Sequence, residues 1–135
     1  MNSYAERFNF HCQSLDDAVS LPTPQCSMAK LDLASAYRSV RIYKYSIQAT
    51  GLKWTFRGDS NPTYFVDTRL SFGASQSSDI FPILTSKIRY MIPHRGFHKV
   101  CIYLDDCLCI EDTKERCREA LNTLIKLVRS LGFYR

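Results

Sequence analysis

Lys99-Val100-Cys101-Ile102-Tyr103-Leu104-Asp105-Asp106-Cys107-Leu108-Cys109-Ile110 is the stretch on which the fold reading turns. Two apolar runs of strand length flank a double aspartate. Such runs joined by a short polar pair predict a β-hairpin with Asp105 and Asp106 at its tip. Downstream, Asp112-Thr113-Lys114-Glu115 has the spacing of a capping box, with Asp112 as N-cap and Glu115 at N3. Cys117, Leu121, Leu124, Ile125, Val128 and Leu131 then recur at helical period, and Gly132 marks the stop. Phe133-Tyr134-Arg135 reads as the opening of another strand.

Upstream of the hairpin, Ser75 to Met91 predicts a helix with Ile80, Leu84, Ile88 and Met91 as its buried face. Pro82, placed near the first turn, tightens its start, and Pro93 and Gly96 end it. Thr50 to Phe56 and Thr63 to Thr68 predict a hairpin across the loop Arg57-Gly58-Asp59-Ser60-Asn61-Pro62. Ser27 to Asp32 predicts a strand, followed by a compact turn over Ala34 to Val40. A short helix follows Ser14 as N-cap, and Pro22 and Pro24 break the chain after it. The order is strand, inserted hairpin, helix, hairpin, helix, and the start of a strand. That is an α+β split βαβ pattern, ferredoxin/RRM-like, with helices on one face of an antiparallel sheet.

At 135 residues, 45% hydrophobic and 23% charged, the chain has the composition of one globular domain and excludes a disordered tail or a collagen. It has no apolar run of membrane-spanning length and no secretory signal, so an intracellular, non-secreted protein with no membrane role is expected. Six cysteines in that setting are expected as reduced thiols. Cys107-x-Cys109 has strand period, and neither it nor His94, His98 and Cys101 has zinc-finger spacing. Charge is uneven: residues 1–37 hold two Lys/Arg and four Asp/Glu, residues 38–99 ten and three, and residues 100–135 six and six. A basic middle segment is either a solvated face or the footprint of a nucleic acid.

Three aspartates carry the chemistry. Asp32 ends an apolar strand, and Asp105 and Asp106 sit at the hairpin. A split βαβ core makes that strand and that hairpin neighbours. Converging carboxylates repel unless a cation neutralises them, and hard oxygen ligands suit Mg²⁺. Two such ions about 3.5–4 Å apart clamp the attacking and leaving oxygens of a phosphoryl displacement. Taken one by one, Asp32 also reads as an Asx-turn residue, and Asp105-Asp106 as a plain polar turn.

Taken with their flanks, these residues resemble a known family. Ala29-Lys30-Leu31-Asp32-Leu33-Ala34-Ser35-Ala36-Tyr37-Arg38-Ser39-Val40 resembles the first palm motif of reverse transcriptases. Tyr103-Leu104-Asp105-Asp106 resembles their Y-x-D-D motif. Arg69-Leu70-Ser71-Phe72-Gly73 through Phe81 is similar to the motif between them, and the helix ending Leu131-Gly132-Phe133 to the one that follows. The ordered set covers about residues 14–135. The lead-in Leu15-Asp16-Asp17-Ala18-Val19, Met28-Ala29-Lys30 and the segment Gly51-Leu52-Lys53-Trp54 resemble the DIRS-type branch.

The resemblance implies a reverse-transcriptase palm over residues 27–135, truncated at its C-terminus, with residues 1–26 a remnant of the fingers. It implies an RNA-directed DNA polymerase acting on an RNA or DNA template, a DNA primer and a dNTP. The reaction is two-metal nucleotidyl transfer to the primer 3′-hydroxyl. Asp32, Asp105, Asp106 and the Leu33 carbonyl are the implied ligands of two Mg²⁺ ions, with Mn²⁺ as the alternative, and Asp106 is the less direct of them. Tyr37 matches the gate that excludes a 2′-hydroxyl, Phe72 lines the same pocket, and Gly73 lets the backbone approach template and nucleotide. Arg38, Arg41, Lys53 and Arg69 read as solvated surface or as phosphate contacts.

Ser71 stands where the family usually has proline, and Ser77-Ser78 where it usually has Ala-Pro. Only Arg7 precedes Lys30 among basic residues, so the fingers' triphosphate-binding pair is missing. The expectation is therefore part of a longer polyprotein. Two other readings stay open: a catalytically inactive fragment of such an enzyme, and an RRM-like nucleic-acid-binding module. The latter needs stacking aromatics on its central strands.

Overall fold

The computed structural model describes residues 13–133, so Arg7, Cys12 and the strand opening expected at Tyr134-Arg135 lie outside the described residues. The elements run α1 (Leu15–Ser20), β1 (Ser27–Asp32), α2 (Ala36–Ser39), β2 (Gly51–Trp54), β3 (Thr63–Val66), α3 (Ser75–Met91), β4 (Val100–Tyr103), β5 (Asp106–Glu111) and α4 (Lys114–Ser130). β1, β5 and β4 form one antiparallel sheet in that spatial order, and β2 and β3 form a separate antiparallel hairpin.

Register follows from the apolar pattern. Leu31 pairs with Cys107 and Ala29 with Cys109, while Ile102 and Val100 meet the same two cysteines from the other side. With a period of two, these side chains share one face. Phe81, Ile88 and Ile92 from the α3 side and Cys117, Ala120, Leu124, Leu127 and Val128 of α4 complete one buried core on that face. Both long helices therefore back the same side of the sheet, as the split βαβ pattern requires. Burial pushes the Cys107 and Cys109 thiols up to about 12, so both are inert packing groups.

Three details of the helices depart from expectation. In α3, Ile80, Leu84 and Met91 are only half-buried, and the buried line is Ser77, Phe81, Thr85, Ile88 and, just past the helix, Ile92. A hydroxyl can occupy a core position when the helix satisfies it, and Thr85 Oγ1 donates to the Pro82 carbonyl at 3.2 Å. The apolar pattern skips such positions, so the expected face was rotated. Pro82 lies well inside α3 rather than in its first turn, and removes one helix hydrogen bond there.

In α4 the N-cap is Thr113, whose Oγ1 accepts from the Arg116 N–H at 3.2 Å. Asp112 is drawn away from that role by Lys99 Nζ at 2.7 Å and by the Thr23 hydroxyl at 2.9 Å. The Lys99 hydrogen bond, then that of Thr23, hold the Asp112 carboxyl below its ordinary range. Leu131, expected in the buried stripe, is 44% exposed. It is the C-cap, and beyond it Gly132 takes φ 89° while Phe133 N–H donates to the Val128 carbonyl at 3.0 Å. That Schellman closure turns Phe133 into the core.

Ser14 caps α1 as expected, in a reciprocal box with Asp17. The lead-in is also tied to the sheet: the Ile102 N–H of β4 donates to Gln13 Oε1 at 2.8 Å, in a buried site. Gln13→Ala strands that amide, which costs about 1–3 kcal/mol. The measurement is the urea unfolding midpoint; an unchanged midpoint would show that Gln13 is not what satisfies this edge.

Candidate active site at the hairpin end of the sheet

Tyr103 pairs with Asp106, so the β4–β5 loop is Leu104-Asp105 and Asp106 is the first residue of β5. The double aspartate is thus split between loop and strand, a correction of one position. Leu104 takes φ 52°, a left-handed conformation at the first loop residue. Hairpin loops of two residues favour positive φ there because the turn's twist then matches that of the strands. A leucine held there stores on the order of 1–3 kcal/mol, strain that tends to sit at functional sites.

The tip is locked to β1. Leu33 N–H donates to the Asp105 carbonyl at 3.0 Å, extending the β1–β5 pairing by one residue. Leu33 itself is buried in the core. Directly before it, Asp32 is the cross-strand partner of Asp106. Both lie on the sheet face opposite the core, where like charges set opposite each other are destabilising.

Lys30 relieves that repulsion. It precedes Asp32 by two residues, so it shares that face, and its Nζ lies 2.9 Å from Asp106 Oδ1. Its ammonium is held above the usual lysine range, first by the hydrogen bond and charge of Asp106, then by the Asp32 and Asp105 carboxylates. The three expected acids therefore lie at one end of the sheet, with Asp106 in contact with Lys30. They are not drawn into a closed cage: among the described residues no group of three or more acidic, histidine or cysteine side chains is placed to hold a metal ion. The donors at this end of the sheet are nonetheless all carboxylate oxygens, with one cation in contact with Asp106. That chemistry fits a hard divalent ion.

The second part of the site is aromatic. Ser35 takes φ 52° and turns the chain from β1 into α2, which carries Tyr37. Beyond α2 the chain runs antiparallel to residues 68–70. Leu70 N–H donates to the Val40 carbonyl at 2.9 Å, Ile42 N–H to that of Thr68 at 3.2 Å, and Arg69 Nη1 to that of Ser39 at 3.1 Å. Arg38 pairs with Asp67, and this bond, then the Arg69 backbone N–H, hold the Asp67 carboxyl below its usual range. Arg38 and Arg69 thus act as internal braces, whereas Lys53 lies over the exposed Tyr64 ring at 5.9 Å.

These braces bring Tyr37 edge-on to Phe72, with centroids 5.5 Å apart, and onto Phe81 at 4.7 Å. Tyr37 is half-buried and Phe72 is 84% exposed. Gly73 takes φ 87°, and a Cβ there would meet nothing within 4 Å. Within the chain, glycine is needed at this position for its backbone angle rather than for clearance. Tyr37 and Phe72 are therefore in contact, with Gly73 next to Phe72 in the chain. Lys30 and the Arg38–Asp67 brace were not anticipated, although Lys30 could have been found from its two-residue spacing to Asp32.

A hairpin-borne pair of acids beside a third on the neighbouring strand, over a sheet backed by two helices, defines the class: a palm-type domain. Residues 2–134 match the family described as reverse transcriptase (RNA-dependent DNA polymerase), and the chain belongs to that family. A foamy viral protease–reverse transcriptase in complex with double-stranded DNA superposes with a TM-score of 0.77 at 21% identity, over 98% of this chain and 21% of that one. The native prototype foamy virus protease–reverse transcriptase gives 0.74 at 21% identity, over 98% of this chain and 16% of that one. A variant of the prototype foamy virus enzyme gives 0.61 at 24% identity, over 78% and 13%. The chain thus spans about a fifth or less of the length of these structures. No curated protein matches it significantly. The DIRS-type affinity read from the lead-in gains no support from these matches.

Among the described residues no helix is long and apolar enough to cross a membrane.

Proposed function

We propose that the chain is the palm of an RNA-directed DNA polymerase that joins a deoxynucleotide to a primer 3′-hydroxyl. The observation that carries this reading is the placement of Asp32, Asp105 and Asp106 at one end of the sheet, with Asp32 directly opposite Asp106, on the face away from the two long helices, and Asp106 paired with Lys30. Asp32, Asp105 and the Leu33 carbonyl would hold two Mg²⁺ ions, or Mn²⁺ in their place, with Asp106 the less direct ligand. The chemistry supplied there is activation of the primer hydroxyl and neutralisation of charge on the leaving pyrophosphate. Tyr37 and Phe72 would line the sugar pocket, and Gly73 would shape its backbone wall. On this reading residues 27–135 are the palm and residues 1–26 belong to the fingers side. Template and primer follow the basic middle segment.

The RRM-like alternative loses ground on the strands themselves. Central β5 (Asp106–Glu111) carries no aromatic residue, and β4 carries Tyr103 alone. Stacking platforms for bases are built from such residues.

Primer extension on poly(rA)·oligo(dT) with Mg²⁺ tests the proposal. Templated incorporation supports it, and none at high protein concentration favours an inactive fragment. Tight RNA binding indifferent to Mg²⁺ and to Asp32→Asn would replace the polymerase by a binding module. Where incorporation is seen, Tyr37→Ala should lower discrimination against ribonucleotides by about 10–100-fold, the scale of a single steric contact in a pocket. The measurement is the ratio of kcat/KM for dTTP and UTP, and an unchanged ratio would remove Tyr37 from the gate.

A further inference from the structure

We propose that Lys30 is a positioning residue that holds Asp106 out of direct metal ligation, leaving Asp32 and Asp105 as the carboxylates that take the divalent ion. The inference rests on the polymerase reading, which already makes Asp106 the less direct ligand, and adds the residue that sets it apart.

The register makes the argument. Lys30 lies directly opposite Leu108 and Asp32 directly opposite Asp106, all four on the face away from the core. Lys30 therefore reaches diagonally, past its own partner, to put its ammonium 2.9 Å from Asp106 Oδ1. Diagonal cross-strand pairs are within reach of a long side chain. The contact engages one of the two Asp106 oxygens and places a positive charge beside the carboxylate that stands opposite Asp32. The side chains are 64% and 49% exposed, so the pair is solvent-screened and a poor candidate for a mainly structural role. Its effect belongs instead to what the acids can bind. Asp105 differs from Asp106 in having its backbone carbonyl tied to Leu33, with no cation contacting its side chain among the ion pairs of the described residues.

Two consequences follow. Removing the ammonium frees Asp106 as a ligand, and also deletes a charge that repels the metal. Both raise divalent affinity. A unit charge a few ångströms from a divalent ion at a solvated site shifts affinity on the order of tenfold.

The test is Mn²⁺ binding to the chain without substrates, read from the electron paramagnetic resonance signal of free aqueous Mn²⁺. Lys30→Met should bind Mn²⁺ on the order of tenfold more tightly. Lys30→Arg should keep the original affinity, because a cation is restored. Asp106→Asn alone should leave affinity nearly unchanged, but should cancel much of the gain when added to Lys30→Met. Asp32→Asn and Asp105→Asn should each weaken binding strongly. Unchanged or weaker binding in Lys30→Met would overturn the proposal, as would a loss in Asp106→Asn equal to that in Asp105→Asn. Binding indifferent to Asp32→Asn and Asp105→Asn would overturn both this proposal and the polymerase reading. A failed primer extension beside the expected binding pattern would count against the activity alone.

Discussion

Asp105→Asn is expected to reduce nucleotide incorporation by on the order of 10²–10³-fold, the scale seen when one group that stabilises developing charge is removed. The substitution is chosen because it isolates charge. The backbone carbonyl of Asp105, which receives the Leu33 N–H, is kept, so the hairpin remains tied to β1. Asparagine is a favourable turn residue, so the Leu104-Asp105 loop is preserved. Loss of one negative charge beside Asp32 and Asp106 eases repulsion, so the thermal midpoint should hold or rise slightly. Asp106→Asn should have a smaller effect, because that carboxylate is already shared with Lys30. Single-nucleotide primer extension with each variant, beside a melting curve, gives the comparison. An Asp105→Asn protein that keeps its melting point and its original rate would remove Asp105 from the chemistry.

The same hairpin shows what sequence can carry and where it stops. Apolar runs separated by a polar pair were enough to find β4 and β5, and the split βαβ pattern set β1 beside their hairpin, but that β5 is the strand paired with β1 is seen only in the structure. The loop itself was misplaced by one residue. Both aspartates look equally turn-like in isolation, and only the pairing of Tyr103 with Asp106 assigns the second to the strand. In α3 the extent was legible, but the buried face was rotated. Ser77 and Thr85 are polar by composition and buried by context. The Asp112 cap failed for a related reason: Lys99 and Thr23, distant in sequence, compete for its carboxylate. Gln13 against Ile102 and Lys30 against Asp106 likewise join residues with no local pattern between them. Motif order located the acids, and the two-residue spacing from Asp32 marks Lys30 as sharing their face, but its pairing with Asp106 is a tertiary contact.

Phe81→Ala should show how strongly the aromatic half of the site depends on the core. Phe81 is fully buried and touches both halves of the domain, with Tyr37 at 4.7 Å and Phe133, which the α4 closure turns inward, at 6.1 Å. Truncating such a ring costs about 3–5 kcal/mol, because apolar area is lost and a cavity is left. Domains of ordinary stability have only about 5–15 kcal/mol in total, so a large unfolded population at 37 °C is the expected result. Phe81→Leu keeps most of the volume and should cost less than the alanine change, leaving a protein folded enough to assay. In that variant the surface under the Tyr37 ring is altered while Tyr37 itself is intact. If Phe81 positions the ring, discrimination against ribonucleotides should fall in Phe81→Leu as it does in Tyr37→Ala, with little change in metal dependence. Urea unfolding measures the first effect, and the ratio of kcat/KM for dTTP and UTP measures the second. A destabilised Phe81→Leu protein with undiminished sugar discrimination would show that Tyr37 is held by Phe72 and the α2 turn rather than by the core beneath it.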